Sequence, residues 1–142
     1  MDATAAAAAA ALVFTWLGMV LAISFVEAPL KFRAPGVTVP VGLGIGRLVF
    51  RALNSIEALF AVGLAVAVAA GSAPASVGVP TIVAVVLLVA QLAAVRPALN
   101  RRSERVLAGE DLPRSRVHHA YVALECAKVA ALLAVGIAVL GR

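Results

Sequence analysis

Four long apolar segments alternate with three polar or glycine-rich connections along this chain. The segments cover residues of about 5–28, 47–70, 80–96 and 117–140. A helix needs about 20 apolar residues to cross the hydrocarbon core of a bilayer, and the segments are close to that length. The pattern therefore predicts an all-α fold with one transmembrane domain over residues 1–142, built as a four-helix bundle with antiparallel up-down topology.

Proline and glycine residues set the predicted limits of these segments. Pro29 is predicted to end the first segment and Pro97 the third, because proline lacks a backbone N–H and restricts the residue before it. Residues 34–46 hold two prolines and four glycines, which predicts a loop or re-entrant backbone. The second helix is accordingly expected to begin near Arg47. Pro80 suits the first turn of the third helix.

Composition restricts the protein to the membrane class. The chain is 63% hydrophobic and 13% charged, whereas ordinary soluble domains are about 25% charged. Despite a net charge of +5, no basic patch interleaved with aromatic residues is present, so the bilayer and not nucleic acid is the predicted partner. Cys126 is the single cysteine, which excludes an internal disulfide. Because no lysine or arginine precedes Lys31, the first segment is expected to be a retained span.

Lysine and arginine residues are distributed very unequally between the two predicted sides of the membrane. The connections after the first and third segments, together with the start of the second helix, hold ten of them, whereas the opposite side holds only Arg142. Such residues concentrate on the cytoplasmic side of membrane proteins. We therefore expect a multi-pass protein of the plasma (inner) membrane, with connections 29–46 and 97–116 cytoplasmic and both termini outside.

Polar side chains inside the apolar segments lie at one predicted depth. Charges in hydrocarbon are costly, so each is a candidate for function. At a rise of 1.5 Å per residue, Glu57, Gln91 and Glu125 lie very roughly 8–15 Å from the polar connections. The polar residues of the second helix share one side, and those of the fourth share one face. The candidate ligand-binding residues are Arg47, Arg51, Asn54, Glu57, Gln91, His118, Tyr121, Glu125 and Lys128.

Two interpretations of these residues are open. In the first, they line a pocket in the cytoplasmic half of the bundle that binds or passes a small polar or amphipathic ligand. In the second, Glu125 pairs with Lys128, and Glu57 pairs with Lys128 or a nearby arginine. The charges then only hold the helices in register, as in a structural subunit of a larger assembly or a homo-oligomer. The paired Glu-x-x-His spacing of carboxylate metal sites is absent, so no metal is predicted, and no catalytic residues are identified.

The first helix and the start of the second carry a wider pattern. Trp16-x-Gly18 is followed by Ala28-Pro29-x2-Phe32, and a Gly-Arg-x2-Phe segment then opens the second helix. This pattern resembles small four-span bacterial membrane proteins of unknown function. The resemblance implies a four-helix membrane bundle and no particular reaction.

A second resemblance is local to the second helix. The spacing Arg47-x6-Asn54-x2-Glu57 is similar to the second-span motif of the MAPEG family, membrane-associated proteins in eicosanoid and glutathione metabolism. It implies a homotrimer that acts as a glutathione-dependent transferase or isomerase, with these three residues near the thiol substrate. Arg96 and Tyr121 are further candidates under this resemblance. One motif arginine is displaced by one residue in this chain.

Overall fold

Four long helices make up most of the protein in the computed structural model, which describes residues 1–113 and 115–141. We number them α1 to α4, and their bounds are Ala3–Arg33, Val39–Ala70, Ala75–Leu107 and Arg116–Leu140. The described residues contain no β-strand. Each helix is long and apolar enough to cross a membrane, which supports the predicted all-α, multi-pass class. Arg114 and Arg142, which contributed to the predicted topology, lie outside the described residues.

Helix α1 continues past Pro29, where the sequence predicted its end. Asp2 caps its start by accepting a hydrogen bond from a first-turn backbone N–H at 2.8 Å. Leu21–Glu27 forms π-helical turns, and the helix then passes through Ala28–Leu30 into a 3-10 turn at Lys31–Arg33. Proline has no N–H to donate and its ring clashes with the preceding turn, and wider π turns relieve that clash. The predicted helix end at Pro29 is therefore wrong.

Helix α2 begins at Val39, so the loop predicted over residues 34–46 is wrong for its second half. Thr38 caps this start, because its hydroxyl accepts a hydrogen bond from a first-turn N–H at 3.4 Å. Gly42 of this segment serves close packing instead of a loop. A Cβ placed on Gly42 would overlap the ring of Phe32, so glycine is what allows the end of α1 to pack against α2 here.

Helix α3 also continues beyond the proline predicted to stop it. Ala75–Ala90 is α-helical, Gln91–Val95 forms π-helical turns, and the α-helix resumes over Arg96–Leu107. Pro97 therefore lies in the first turn of a resumed helix, where its missing N–H costs little. The prediction that the helix stops there is wrong. Pro80 lies inside the helix and not in its first turn, because the helix begins earlier than predicted.

The four helices pack around a main apolar core, and Phe50, Leu53 and Tyr121 form a second, smaller apolar cluster. Helix α1 contacts α2 and α4, and α3 contacts the same two helices. The core takes buried side chains from all four helices, including Val13, Leu64, Leu88 and Leu132. Large apolar side chains also cover the outer surface: Leu59, for example, is 71% exposed. An apolar exterior around an apolar core is typical of a protein that faces lipid.

Candidate functional site

A buried lysine lies at the centre of the polar residues inside the molecule. The Nζ atom of Lys128 lies 2.5 Å from Glu57 Oε2, 2.8 Å from Glu125 Oε1 and 2.8 Å from Gln91 Oε1. The side chains of the lysine and of both glutamates are at most 1% exposed. Four of the predicted site residues, from α2, α3 and α4, are thus brought together.

Trp16 of α1 completes this group, which we call the lysine cluster: Trp16, Glu57, Gln91, Glu125 and Lys128. The indole Nε1–H donates to Glu57 Oε2 at 2.8 Å, and the Gln91 amide donates to Glu125 Oε2 at 3.3 Å. Sequence reasoning missed Trp16. Its signal was an indole N–H within an apolar run, which requires an acceptor when it is buried. The cluster therefore connects all four helices.

The ion pairs of the lysine cluster match part of the second interpretation of the sequence. Lys128 pairs with both Glu57 and Glu125, as that interpretation allowed. Arg47 instead pairs with Glu104 of α3 at 2.9 Å. With two carboxylates and one ammonium group, the fully ionised cluster has a net charge of −1. Charges in such a dry site depend strongly on each other, because their removal from water is compensated only by their partners.

A cavity of about 600 Å³ lies beside the lysine cluster. Its wall comes from four segments, one on each helix, which meet in a region that we call the basic end: residues 24–32, 42–50, 96–103 and 118–122. Three predicted site residues line it, Arg47, His118 and Tyr121. The charged members of the lysine cluster do not line it. The predicted pocket is therefore divided into a dry cluster and an adjacent cavity.

Arg96 is the most unusual side chain in the wall of this cavity. The central carbon of its guanidinium group lies 4.5 Å from the ring centre of Phe50 and 4.7 Å from that of Tyr121. The two rings meet edge to face at 5.7 Å. Both rings thus attract the cation through their π faces. The Nε and Nη2 atoms of Arg96 are buried and have no hydrogen-bond partner within residues 1–113 and 115–141.

Two hydroxyl groups in the wall of the same cavity are also buried without a hydrogen bond to any described residue. They are Tyr121 Oη and Ser24 Oγ, and both residues line the cavity. The Tyr121 hydroxyl faces Glu125 and Ser24, although it meets hydrogen-bond geometry with neither. Tyr121 therefore stands between the cavity and the lysine cluster. Most buried polar groups in native proteins have partners, so several unsatisfied ones in one wall require an explanation.

The charge of the cavity wall is positive. Lys31, Arg47 and Arg96 line it, and no acidic side chain is among the described lining residues. Two of these cations have partners elsewhere, because Lys31 pairs with Glu27 at 3.5 Å and Arg47 pairs with a residue of α3. The rest of the wall includes apolar side chains: Phe25, Phe32, Leu43, Phe50, Leu99 and Val122. This combination is suited to a molecule with an anionic head and an apolar body.

A smaller cleft of about 330 Å³ holds the remaining predicted residues. Arg47, Arg51 and Asn54 line it together with Arg96. Glu57, the last residue of the Arg47-x6-Asn54-x2-Glu57 spacing, is absent from the wall, since it belongs to the lysine cluster. Arg47, Arg51 and Asn54 of α2 thus lie in one cleft, whereas Glu57 lies outside it.

Comparison of the chain with protein-family models, with curated proteins and with solved structures finds no match. The chemistry of the cavity and of the lysine cluster therefore has to carry the functional inference.

Proposed function

We propose that this protein is a four-helix antiparallel bundle of the plasma membrane that binds a small amphipathic ligand in the cavity at its basic end. In this topology the basic end faces the cytoplasm and both termini lie outside. The distribution of lysine and arginine supports that orientation. The up-down order is supported by the position of Gly71, at the end of α2, where a Cβ would lie 2.7 Å from that of Ala5 near the start of α1.

The single observation that carries the binding role is the cavity itself, with buried polar groups in its wall that lack partners. A volume of about 600 Å³ is within the usual range for small-molecule sites, about 300–1,000 Å³. Such sites combine a mainly apolar lining with a few polar groups that orient the ligand. The aromatic wall and the donors of Arg96, Tyr121 and Ser24 form this combination.

Binding is favoured over passage across the membrane. Beyond the lysine cluster, the centre of the molecule is filled by buried side chains from all four helices. The cluster itself is dry and internally paired. In the proposed function the lysine cluster holds the four helices at the spacing that leaves the cavity open. The structural interpretation then applies to the cluster, and the binding interpretation applies to the cavity next to it.

Two glycines of α2 provide a test of this proposal. Gly46 lines the cavity, and a Cβ there would lie 3.1 Å from the flexible end of Lys31, whereas a Cβ on Gly44 would meet nothing within 4 Å. Gly46→Leu should therefore fill the cavity, and Gly44→Leu is a control with the same substitution on the same helix. The probe is diazirine-labelled dodecanol, a neutral single-chain amphiphile, applied to the protein in neutral detergent.

We expect saturable photolabelling of the wild type and of Gly44→Leu, at peptides from the cavity wall and suppressed by unlabelled dodecanol. Gly46→Leu should lose this labelling while keeping its helical circular dichroism. Labelling of the wild type that is not saturable, or equal saturable labelling of both leucine variants, would refute the proposed function.

A glutathione-dependent activity is the second candidate function. The observation that favours it is the shared cleft of Arg47, Arg51 and Asn54, in which two arginines could clamp the carboxylates of the tripeptide. If this function is correct, the purified protein binds radiolabelled glutathione, and Arg47→Ala and Arg51→Ala each weaken binding. Absence of binding to the wild type removes this candidate.

A further inference from the structure

We infer that the ligand of the cavity is an amphipathic anion, a single-chain molecule whose carboxylate or phosphate head is bound by Arg96. This inference rests on the proposed function and specifies the ligand class for the same site. It depends on three features: the hydrogen-bonding edge that Arg96 leaves unused, the absence of a paired acid for its charge, and an apolar wall beside it.

The two unsatisfied atoms of Arg96 are adjacent along one edge of its guanidinium group. The rings of Phe50 and Tyr121 interact with the guanidinium at 4.5 and 4.7 Å from its central carbon. Those contacts are through the π faces of the rings and satisfy none of the N–H donors. The Nε and Nη2 donors of one arginine point in parallel, which is the geometry that binds two oxygens of a carboxylate or phosphate.

The positive charge of Arg96 has no ion-pair partner among the described residues, unlike the other two cations in the wall. Lys31 has Glu27 at 3.5 Å, and Arg47 has Glu104 at 2.9 Å. Glu125, which faces the neighbouring Tyr121, forms its ion pair with Lys128 through Oε1 at 2.8 Å and forms none with Arg96. A half-buried cation is stabilised by an anion in direct contact with it, and a ligand can supply that contact here.

Two hydroxyl groups and the apolar wall of the cavity indicate the rest of the ligand's chemistry. The hydroxyls of Tyr121 and Ser24 are buried and lack hydrogen bonds among the described residues, and both residues line the cavity, so we expect these hydroxyls to donate to the same head group. The aromatic and aliphatic side chains of the wall cover an alkyl chain. The cavity volume of about 600 Å³ suits one chain better than the two of a bilayer phospholipid.

The probes for this inference share one chain and differ only in the head group. Dodecanoate and dodecyl phosphate are anionic, dodecanol is neutral and dodecylammonium is cationic, and inorganic phosphate is a head group without a chain. Each compound is tested as a competitor that reduces photolabelling by diazirine-labelled dodecanol. Hydrogen bonds to charged groups contribute about 1.5–3 kcal/mol. Since about 1.4 kcal/mol is a factor of ten, the two anions should compete at concentrations about ten- to a hundredfold below that of dodecanol.

Arg96→Gln should remove this preference, so that the anions and dodecanol compete within about twofold of each other. Continued labelling of this variant by the dodecanol probe reports that the cavity is intact. Arg101→Gln is the matched control, because Arg101 is an exposed arginine of the same helix that is not among the lining residues of this cavity or of the smaller cleft, and it should keep the full preference. If Arg96→Gln does not fold, Tyr121→Phe and Ser24→Ala provide the test, and each should reduce the preference several-fold.

The outcomes separate this inference from the proposed function. Saturable dodecanol binding without any preference for the anions refutes the anion inference and leaves the binding function in place. Competition by inorganic phosphate as strong as that by dodecyl phosphate also refutes it, because the chain would then be irrelevant. An anion preference that survives Arg96→Gln refutes the role of Arg96. Failure of the wild type to bind dodecanol or either anion refutes the proposed function.

Discussion

Replacement of the buried lysine is the most informative perturbation of the fold. Lys128→Met removes an ammonium group that contacts two carboxylates and one amide oxygen within 2.8 Å. Methionine has nearly the same length, so little packing volume is lost. Glu57 and Glu125 then remain in a site where their side chains are 1% exposed, with no cation to balance them.

The expected magnitude follows from this geometry. Removal of one partner from a buried ion pair typically costs about 3–5 kcal/mol, and here one substitution breaks two such pairs. We therefore expect Lys128→Met to lower the free energy of unfolding by an amount near the upper end of that range. The exposed pair between Arg105 and Glu110 is the control. Its side chains are 61% and 49% exposed, so Arg105→Met should cost at most about 1 kcal/mol.

The assay is reversible unfolding in mixed micelles with increasing fractions of SDS, followed by circular dichroism. A combined variant tests the electrostatic reasoning, since Lys128→Met, Glu57→Gln and Glu125→Gln together remove every charge from the lysine cluster. We expect it to be more stable than Lys128→Met alone and within about 2 kcal/mol of the wild type. The reasoning is refuted if the combined variant is no more stable than the single one, or if Lys128→Met unfolds like the wild type.

Three further predictions concern other parts of the molecule. Trp16→Phe should lower the free energy of unfolding by about 1.5–3 kcal/mol, because it removes a buried hydrogen bond to a carboxylate; unchanged SDS unfolding would contradict this. Gly136→Ala places a Cβ 2.7 Å from the ring of Phe14 and should cost about 1–3 kcal/mol through overpacking, and Phe14→Leu should restore most of the loss in the same assay. Asp111→Cys should react with a membrane-impermeant maleimide in inside-out vesicles and not in intact cells; the reverse pattern would invert the proposed topology.

The sequence was sufficient to predict four helices and the common depth of three of their polar residues, although not the division of the predicted site into a cluster, a cavity and a cleft. Apolar segment length alone indicated four helices. Depth counted along each segment placed Glu57, Gln91 and Glu125 at one level, and all three contact Lys128 in the structure. This worked because α-helical rise is nearly constant, so distance along the chain converts directly to depth.

The helix ends and the surroundings of Arg96 could not be predicted by such reasoning. Local rules treat Pro29 and Pro97 as helix breakers, but π-helical turns precede both prolines and let the helices continue. Because α3 continues, Arg96 is half-buried against two aromatic rings and is not at a helix exit. Its contacts join α3 to α2 and α4, so no pattern within one helix specifies them. The hydrogen bond of Trp16 was missed for the same reason, since its acceptor is on another helix.

The measurement that tests the central claim most directly is native mass spectrometry of the protein purified from membranes in mild neutral detergent. We predict one single-chain anionic amphiphile per subunit on the wild type and on Gly44→Leu, absent from Gly46→Leu and strongly reduced on Arg96→Gln. A wild type that carries no such molecule after incubation with dodecanoate, or a Gly46→Leu variant that carries as much as the wild type, would contradict the account.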